Sequence, residues 1–165
     1  KLSEKAGRVI AIEKDRRLIE ELKEKFKNTN VEIIEDDILK FKIENLKLGS
    51  YKIVANIPYY ITSHFLRTVF EKWPRPKLIV LTVQKEVAQR IIAKPPKMNL
   101  LALSVQFYSD PKIIMTISRN SFRPVPNVDS AIIRLLPRKG IDIQKTEEVL
   151  GLVKKAFAGT SIFYF

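Results

Sequence analysis

Tyr51-Lys52-Ile53-Val54-Ala55-Asn56-Ile57-Pro58-Tyr59-Tyr60-Ile61-Thr62-Ser63 is the stretch that decides the fold. Its apolar opening reads as a buried strand, and Ile61-Thr62-Ser63 reads as the start of a helix. Between them, a side-chain amide, a proline and an aromatic ring sit at the carboxyl end of a strand. Open α/β sheets bind their ligands at that edge. The chemistry favoured there is capture of a flat, amine-bearing ring such as adenine.

The flanking sequence supports an α/β reading. Upstream, residues 8–12 form a short apolar run ending in Glu13, and residues 15–27 place Leu18, Ile19, Leu22 and Phe26 on one helical face. Residues 31–34 read as a second strand closing on Asp36-Asp37. Downstream, residues 63–73 read as a helix with Phe65, Leu66, Val69 and Phe70 inward. Residues 77–83 are almost continuous Ile/Val/Leu, as in a strand covered on both faces. Helices are expected over 84–92, 100–107 and 145–157, and an antiparallel pair over 112–118 and 130–136. Alternating strands and helices predict a sheet with crossover connections.

Composition narrows the function classes. The 165 residues suffice for one domain with its own core, and a hydrophobic content of 45% opposes disorder. No apolar stretch approaches a membrane span, and the charged N-terminus has no signal-peptide hydrophobic region. The absence of cysteine excludes disulfides and thiolate metal sites, and the single His64, read as structural, builds no histidine cluster. No metal is expected. The net charge of +12, from 30 Lys+Arg against 18 Asp+Glu, favours a polyanionic partner, with RNA or DNA the simplest.

The first three strands end near Glu13, Asp37 and Asn56. In a parallel sheet such ends share one rim, where a carboxylate can accept both hydroxyls of a ribose and another can accept an adenine amine. The competing reading is that these acids only cap the following helices, as Asp15 does. At Asn56-Ile57-Pro58-Tyr59 the amide oxygen and the Ile57 or Pro58 carbonyl can both accept from an aromatic amine. That favours a more pyramidal nitrogen and aims it at an electrophilic carbon. Tyr59 can stack on the base. Ser121-Phe122-Arg123-Pro124-Val125-Pro126 is a proline-stiffened loop led by an aromatic, suited to the other face of a base or to a rigid strand connection.

With these elements in order, the sequence resembles the ribosomal RNA adenine N6-dimethyltransferases, the KsgA-like family related to the Erm methyltransferases. The residues that carry the likeness are Ile12-Glu13, Asp37-Ile38-Leu39, Asn56-Ile57-Pro58-Tyr59 with Ile61-Thr62-Ser63, the segment 83–90, and Phe122 to Pro126 through Val128-Asp129-Ser130.

The resemblance implies a Rossmann-like class I sheet and an S-adenosylmethionine-dependent enzyme that dimethylates adenosines of ribosomal RNA, the small subunit foremost. It implies Glu13 at the cofactor ribose, Asp37 and Ile38 at its adenine, and Asn56 between cofactor and target amine. Ile57 and Pro58 complete the turn, Tyr59 and Phe122 sandwich the target base, and Lys85 and Arg90 lie near the RNA face. It also implies a cytoplasmic monomer working on the small ribosomal subunit, with no membrane partner.

The family's first strand and glycine-rich turn have no counterpart here, where only Gly7 precedes Glu13. Residues 1–158 are therefore expected to be a partial catalytic domain truncated at both ends. Residues 1–6 read as the tail of a first helix, and 159–165 as a divergent tail in place of the family's small helical domain. Without the turn, weak cofactor binding is expected, and the strands ending at Glu13 and Asn56 must pair directly or leave an edge bare. Two other readings stand beside this one. The first is a non-catalytic RNA-binding or ribosome-assembly factor on a degenerate methyltransferase fold. The second is a DNA adenine methyltransferase, opposed by the Phe122 loop and by Ile57 where such sites carry Asn-Pro-Pro-Tyr.

Overall fold

A computed structural model describes residues 1–46, 48–141, 148–149, 151–153 and 155. Most of the helix expected over 145–157 and the tail over 159–165 lie outside the described residues. The chain forms two compact units, Lys1–Leu46 and a second from Lys47 onward.

The first unit is a β–α–β element. Strand β1 (Val9–Glu13) and strand β2 (Val31–Glu35) run parallel, in register from Val9 opposite Val31 to Glu13 opposite Glu35. Helix α1 (Arg16–Lys25) joins them. Asp15 caps it, its side chain accepting from the Arg17 N–H, and Lys23 and Lys25 sit in the last turn, where cations complement the helix dipole. Ile19 is buried, whereas Leu18, expected on the inner face, is exposed. Residues 2–6 make one hydrogen-bonded turn, with the Lys5 and Ala6 N–H groups donating to the Leu2 carbonyl. Asn30 holds this turn by donating from Nδ2 to the carbonyls of Ser3 and Ala6.

The second unit is built on a four-stranded sheet of order β3-β4-β6-β5. Strands β3 (Lys52–Asn56) and β4 (Leu78–Gln84) are parallel and are connected through helix α2 (Thr62–Glu71). Helices α3 (Lys85–Ile91) and α4 (Leu100–Tyr108) lead into the antiparallel strands β5 (Ser109–Ile117) and β6 (Ser130–Pro137), with β6 also antiparallel to β4. Asn99 caps α4, accepting from the Ala102 N–H at 2.9 Å. β5 follows α4 with no intervening loop and tolerates Pro111 because it is an edge strand.

The core lies on one side of β4 and β6, where Ile79, Leu81, Val83, Ala131, Ile133 and Leu135 are all fully buried. The alternate residues of β4 are only half-buried, so the strand is not equally covered on both faces despite its continuous apolar sequence. From α2, Phe65, Leu66 and Val69 are buried as expected, while Phe70 is half-buried. Phe65 meets Trp73 edge-to-face at 5.9 Å, and Phe70 stacks on Tyr108 from α4 at 5.1 Å.

The expected single rim of parallel strands divides into two sheets. β1 pairs only with β2 and β3 only with β4. Among the described residues, β1 and β3 therefore each keep one edge unpaired, and Val54 on β3 is 53% exposed.

Candidate active site

In the second unit, β3 ends at Asn56, opposite Thr82 of β4. Pro58 has no N–H with which to extend the ladder, and its φ of −54° and ψ of 135° start a single 3-10 turn, Tyr59–Ile61, before α2 begins at Thr62. The Pro58 carbonyl accepts from the Ile61 N–H at 3.1 Å. The exposed Asn56 side chain makes no hydrogen bond among the described residues. Its amide and the half-buried Ile57 backbone thus stand at the open end of the strand.

The turn is anchored across the sheet. The Tyr59 hydroxyl and Ser130 Oγ are hydrogen-bonded at 2.6 Å, over a separation of 71 residues. Ser130 is fully buried at the start of β6, opposite Gln84 of β4 and Ile117 of β5. This bond fixes the phenol end of Tyr59 and leaves the ring faces to pack or stack.

The Phe122 loop is rooted at the same place. The Asp129 carboxylate accepts from the Arg119 N–H at 3.1 Å, and the Asp129 carbonyl accepts from the Lys85 N–H at 3.0 Å. Lys85 Nζ lies 3.7 Å from the second carboxylate oxygen. A 3-10 turn over Arg119–Ser121 then delivers the half-buried Phe122, whose N–H donates to the Arg119 carbonyl at 3.2 Å. Asp129 and Ser130 are therefore the residues whose structural role the sequence did not reveal. Both lie in a quoted motif, but nothing local announces that one anchors a loop and the other a tyrosine.

In the first unit, Glu13 ends β1 and is half-buried. Its Oε1 accepts from the Lys14 and Asp15 N–H groups, each at 2.8 Å, which leaves Oε2 with no hydrogen-bond partner among the described residues. Capping and ligand binding are thus compatible for this carboxylate. Asp37 lies two residues beyond the end of β2, at the start of a turn in which its carbonyl accepts from Lys40 and Phe41. Its Oδ2 accepts from Lys14 Nζ at 2.8 Å and its Oδ1 from the Leu39 N–H at 3.0 Å. Lys14, then the Leu39 N–H, hold the carboxyl below its ordinary value of 3.8. Ile38 beside it is half-buried.

Because the folded-state pKa of Asp37 is lowered, its stabilising contribution is present above the unfolded value of 3.8 and is lost as pH falls through the depressed value. Lys14→Ala is expected to raise that pKa and move the loss to higher pH. A carboxyl-carbon NMR titration of the two proteins checks this, and coincident Asp37 curves would refute the pairing.

Arg90 of α3 is half-buried and His64 is exposed on α2. Among the described residues no three His, Cys, Asp or Glu cluster as a metal site, and no helix is long and apolar enough to cross a membrane.

The sequence matches the family of ribosomal RNA adenine dimethylases over residues 1–161. It is 48% identical over 139 residues to the ribosomal RNA small subunit methyltransferase A of Dehalococcoides mccartyi strain CBDB1, covering 82% of this chain and 47% of the relative. It is 42% identical over 159 residues to the protein of that name from Mycoplasmopsis synoviae, covering 95% of this chain and 61% of the relative. The chain thus spans about half to three-fifths of the length of these curated relatives.

Among solved structures, a dimethyladenosine transferase from Plasmodium falciparum superposes with a TM-score of 0.75 at 29% identity, covering 87% of this chain and 54% of that one. The 23S rRNA methyltransferase ErmE gives 0.77 at 26% identity, covering 97% and 65%. These likenesses confirm the α/β methyltransferase fold. On the match along nearly its whole length, the chain belongs to the ribosomal RNA adenine dimethylase family.

Proposed function

We propose that this chain is the catalytic part of an enzyme that dimethylates the exocyclic amine of adenosines in ribosomal RNA, with S-adenosylmethionine as methyl donor and the small ribosomal subunit as substrate. The observation that carries the proposal is the Asn56–Tyr59 turn. An amide with no hydrogen bond among the described residues stands at a strand end, beside a tyrosine pinned to the residue next to the root of the Phe122 loop.

The donor set fits the cofactor. Glu13 offers to ribose hydroxyls a carboxylate oxygen with no partner among the described residues, and Asp37, its carboxyl pKa lowered by Lys14, offers an acceptor to an adenine amine with Ile38 alongside. When bound, S-adenosylmethionine supplies an electrophilic methyl group on a sulfonium.

The protein's own part is to hold and aim the nucleophile. An aromatic amine is a poor nucleophile because its lone pair is shared with the ring. Asn56 Oδ1 and a backbone carbonyl accept its two hydrogens and favour a pyramidal nitrogen with its lone pair projecting. The Ile57 carbonyl suits this role, because that of Pro58 already accepts from Ile61. Tyr59 and Phe122 stack on the two faces of the target base. A strong general base is not required, since the amine becomes acidic once alkylated. The protein acts in the cytoplasm as a monomer.

The charge of +12 gives a direct test. Single-stranded RNA held by about four phosphate contacts loses affinity with a log–log salt slope near −3, roughly 50-fold between 50 and 200 mM salt. Fluorescence anisotropy with a labelled oligonucleotide measures this, and a flat response would sink the electrostatic basis of the reading.

A further inference from the structure

Within the second unit, α3 and the loop that carries Phe122 enclose an open groove of about 370 Å³. Lys85, Glu86 and Gln89 line it on one side and Arg119, Asn127 and Asp129 on the other. The volume is near the lower end of the roughly 300–1,000 Å³ typical of small-ligand sites. It accommodates a single nucleotide base with its sugar and is too small for a duplex.

The character of the lining distinguishes base recognition from phosphate binding. Two cations face two carboxylates, so the groove is electrically balanced although the protein is strongly basic. Both cations are also engaged, Lys85 with the Asp129 carboxylate and the Arg119 guanidinium with the Asn127 carbonyl at 3.4 Å. What remains is the pair of exposed side-chain amides of Gln89 and Asn127, neither hydrogen-bonded among the described residues. A planar amide offers a donor and an acceptor side by side, the arrangement that reads the edge of a base. Val128 adds exposed apolar surface for the face of a ring.

The position of the groove is equally informative. Asp129 precedes Ser130, the residue that holds the Tyr59 hydroxyl, and Lys85 follows Gln84, which pairs with Ser130 across β4 and β6. The groove therefore begins one residue from the anchor of Tyr59. We infer that it receives the nucleotide adjoining the target adenosine, with Gln89 and Asn127 reading that neighbour's base edge. The inference rests on the proposal that Tyr59 holds the target base, and it adds a sequence requirement that the turn alone does not impose.

The test uses single-stranded RNA nonamers with one central adenosine and otherwise uridine. The base on each side of the adenosine is varied in turn, and binding is read by fluorescence anisotropy at fixed salt. The wild-type chain is expected to prefer one flanking base by about 10-fold, within the range of a bidentate amide contact. Gln89→Ala and Asn127→Ala together should reduce that preference to within about twofold while the weakest probe binds as before. Both side chains are exposed, so these truncations leave the fold intact. Tyr59→Ala should weaken every probe alike and keep the preference.

Equal binding of all probes by the wild-type chain, or a preference that survives the double truncation, overturns the groove as a reader. A preference lost on the double truncation, together with an affinity for every probe that Tyr59→Ala leaves unchanged, upholds the groove and removes the base-holding role of Tyr59. No RNA binding at all overturns both.

Discussion

Asn56→Ala is expected to lower methyl transfer to adenosine by about 10²- to 10³-fold, the loss seen when one preorganised polar contact to a reacting centre is removed. The substitution removes only an exposed side chain that bonds no described residue, so β3 and its pairing with β4 should be undisturbed. RNA affinity should stay within about twofold, because the stacking roles proposed for Tyr59 and Phe122 and the basic surface are unchanged. The measurement is single-turnover methylation beside an RNA-binding titration, in the full-length protein that contains this chain. A fall in the chemical rate without a fall in affinity identifies Asn56 as orienting the amine. Unchanged turnover removes the role assigned to the amide.

The largest expected effect on stability comes from Phe65→Ala. Phe65 is 1% exposed, belongs to the buried face of α2, and meets Trp73 edge-to-face. Emptying such a site forfeits both the transfer free energy of the ring and the contacts lining the cavity, about 3–5 kcal/mol. Domains of this size are stable by roughly 5–15 kcal/mol, so the loss is a large fraction of the total. Urea denaturation followed by tryptophan fluorescence reports it directly, since Trp73 is the sole tryptophan. A midpoint shift equivalent to less than about 1 kcal/mol would mean that Phe65 is not the core residue its burial indicates. The same volume lost at the exposed Tyr60 should have little effect on stability.

Much of the architecture was legible because it is local. The periods of α1 and α2, the cap at Asp15 and the breaks at Pro58 and Pro126 are written in neighbouring residues, and the observed elements lie within a few positions of those expected. The differences arise where packing overrides pattern. Leu18 fits the helical spacing but falls outside the covered arc of α1, and β4 reads as doubly buried although only its Ile79–Leu81–Val83 face is fully covered. The strand expected from residue 112 begins at Ser109 and includes Pro111, which an edge position tolerates.

The sequence by itself determined the order of strands and helices, the placement of an amide, a proline and a ring at the end of β3, and the family to which those residues point. These follow from hydrophobic period and from proline's missing N–H, which act over a few residues. Only the tertiary structure decided that Tyr59 is tied to Ser130, that Asp129 roots the Phe122 loop against Lys85, and that β1 and β3 belong to separate sheets. Those facts depend on strand register between distant segments. Pairing β6 against β4 brings residues 71 apart to 2.6 Å, and a shift of one position would turn the serine to the other face of the sheet.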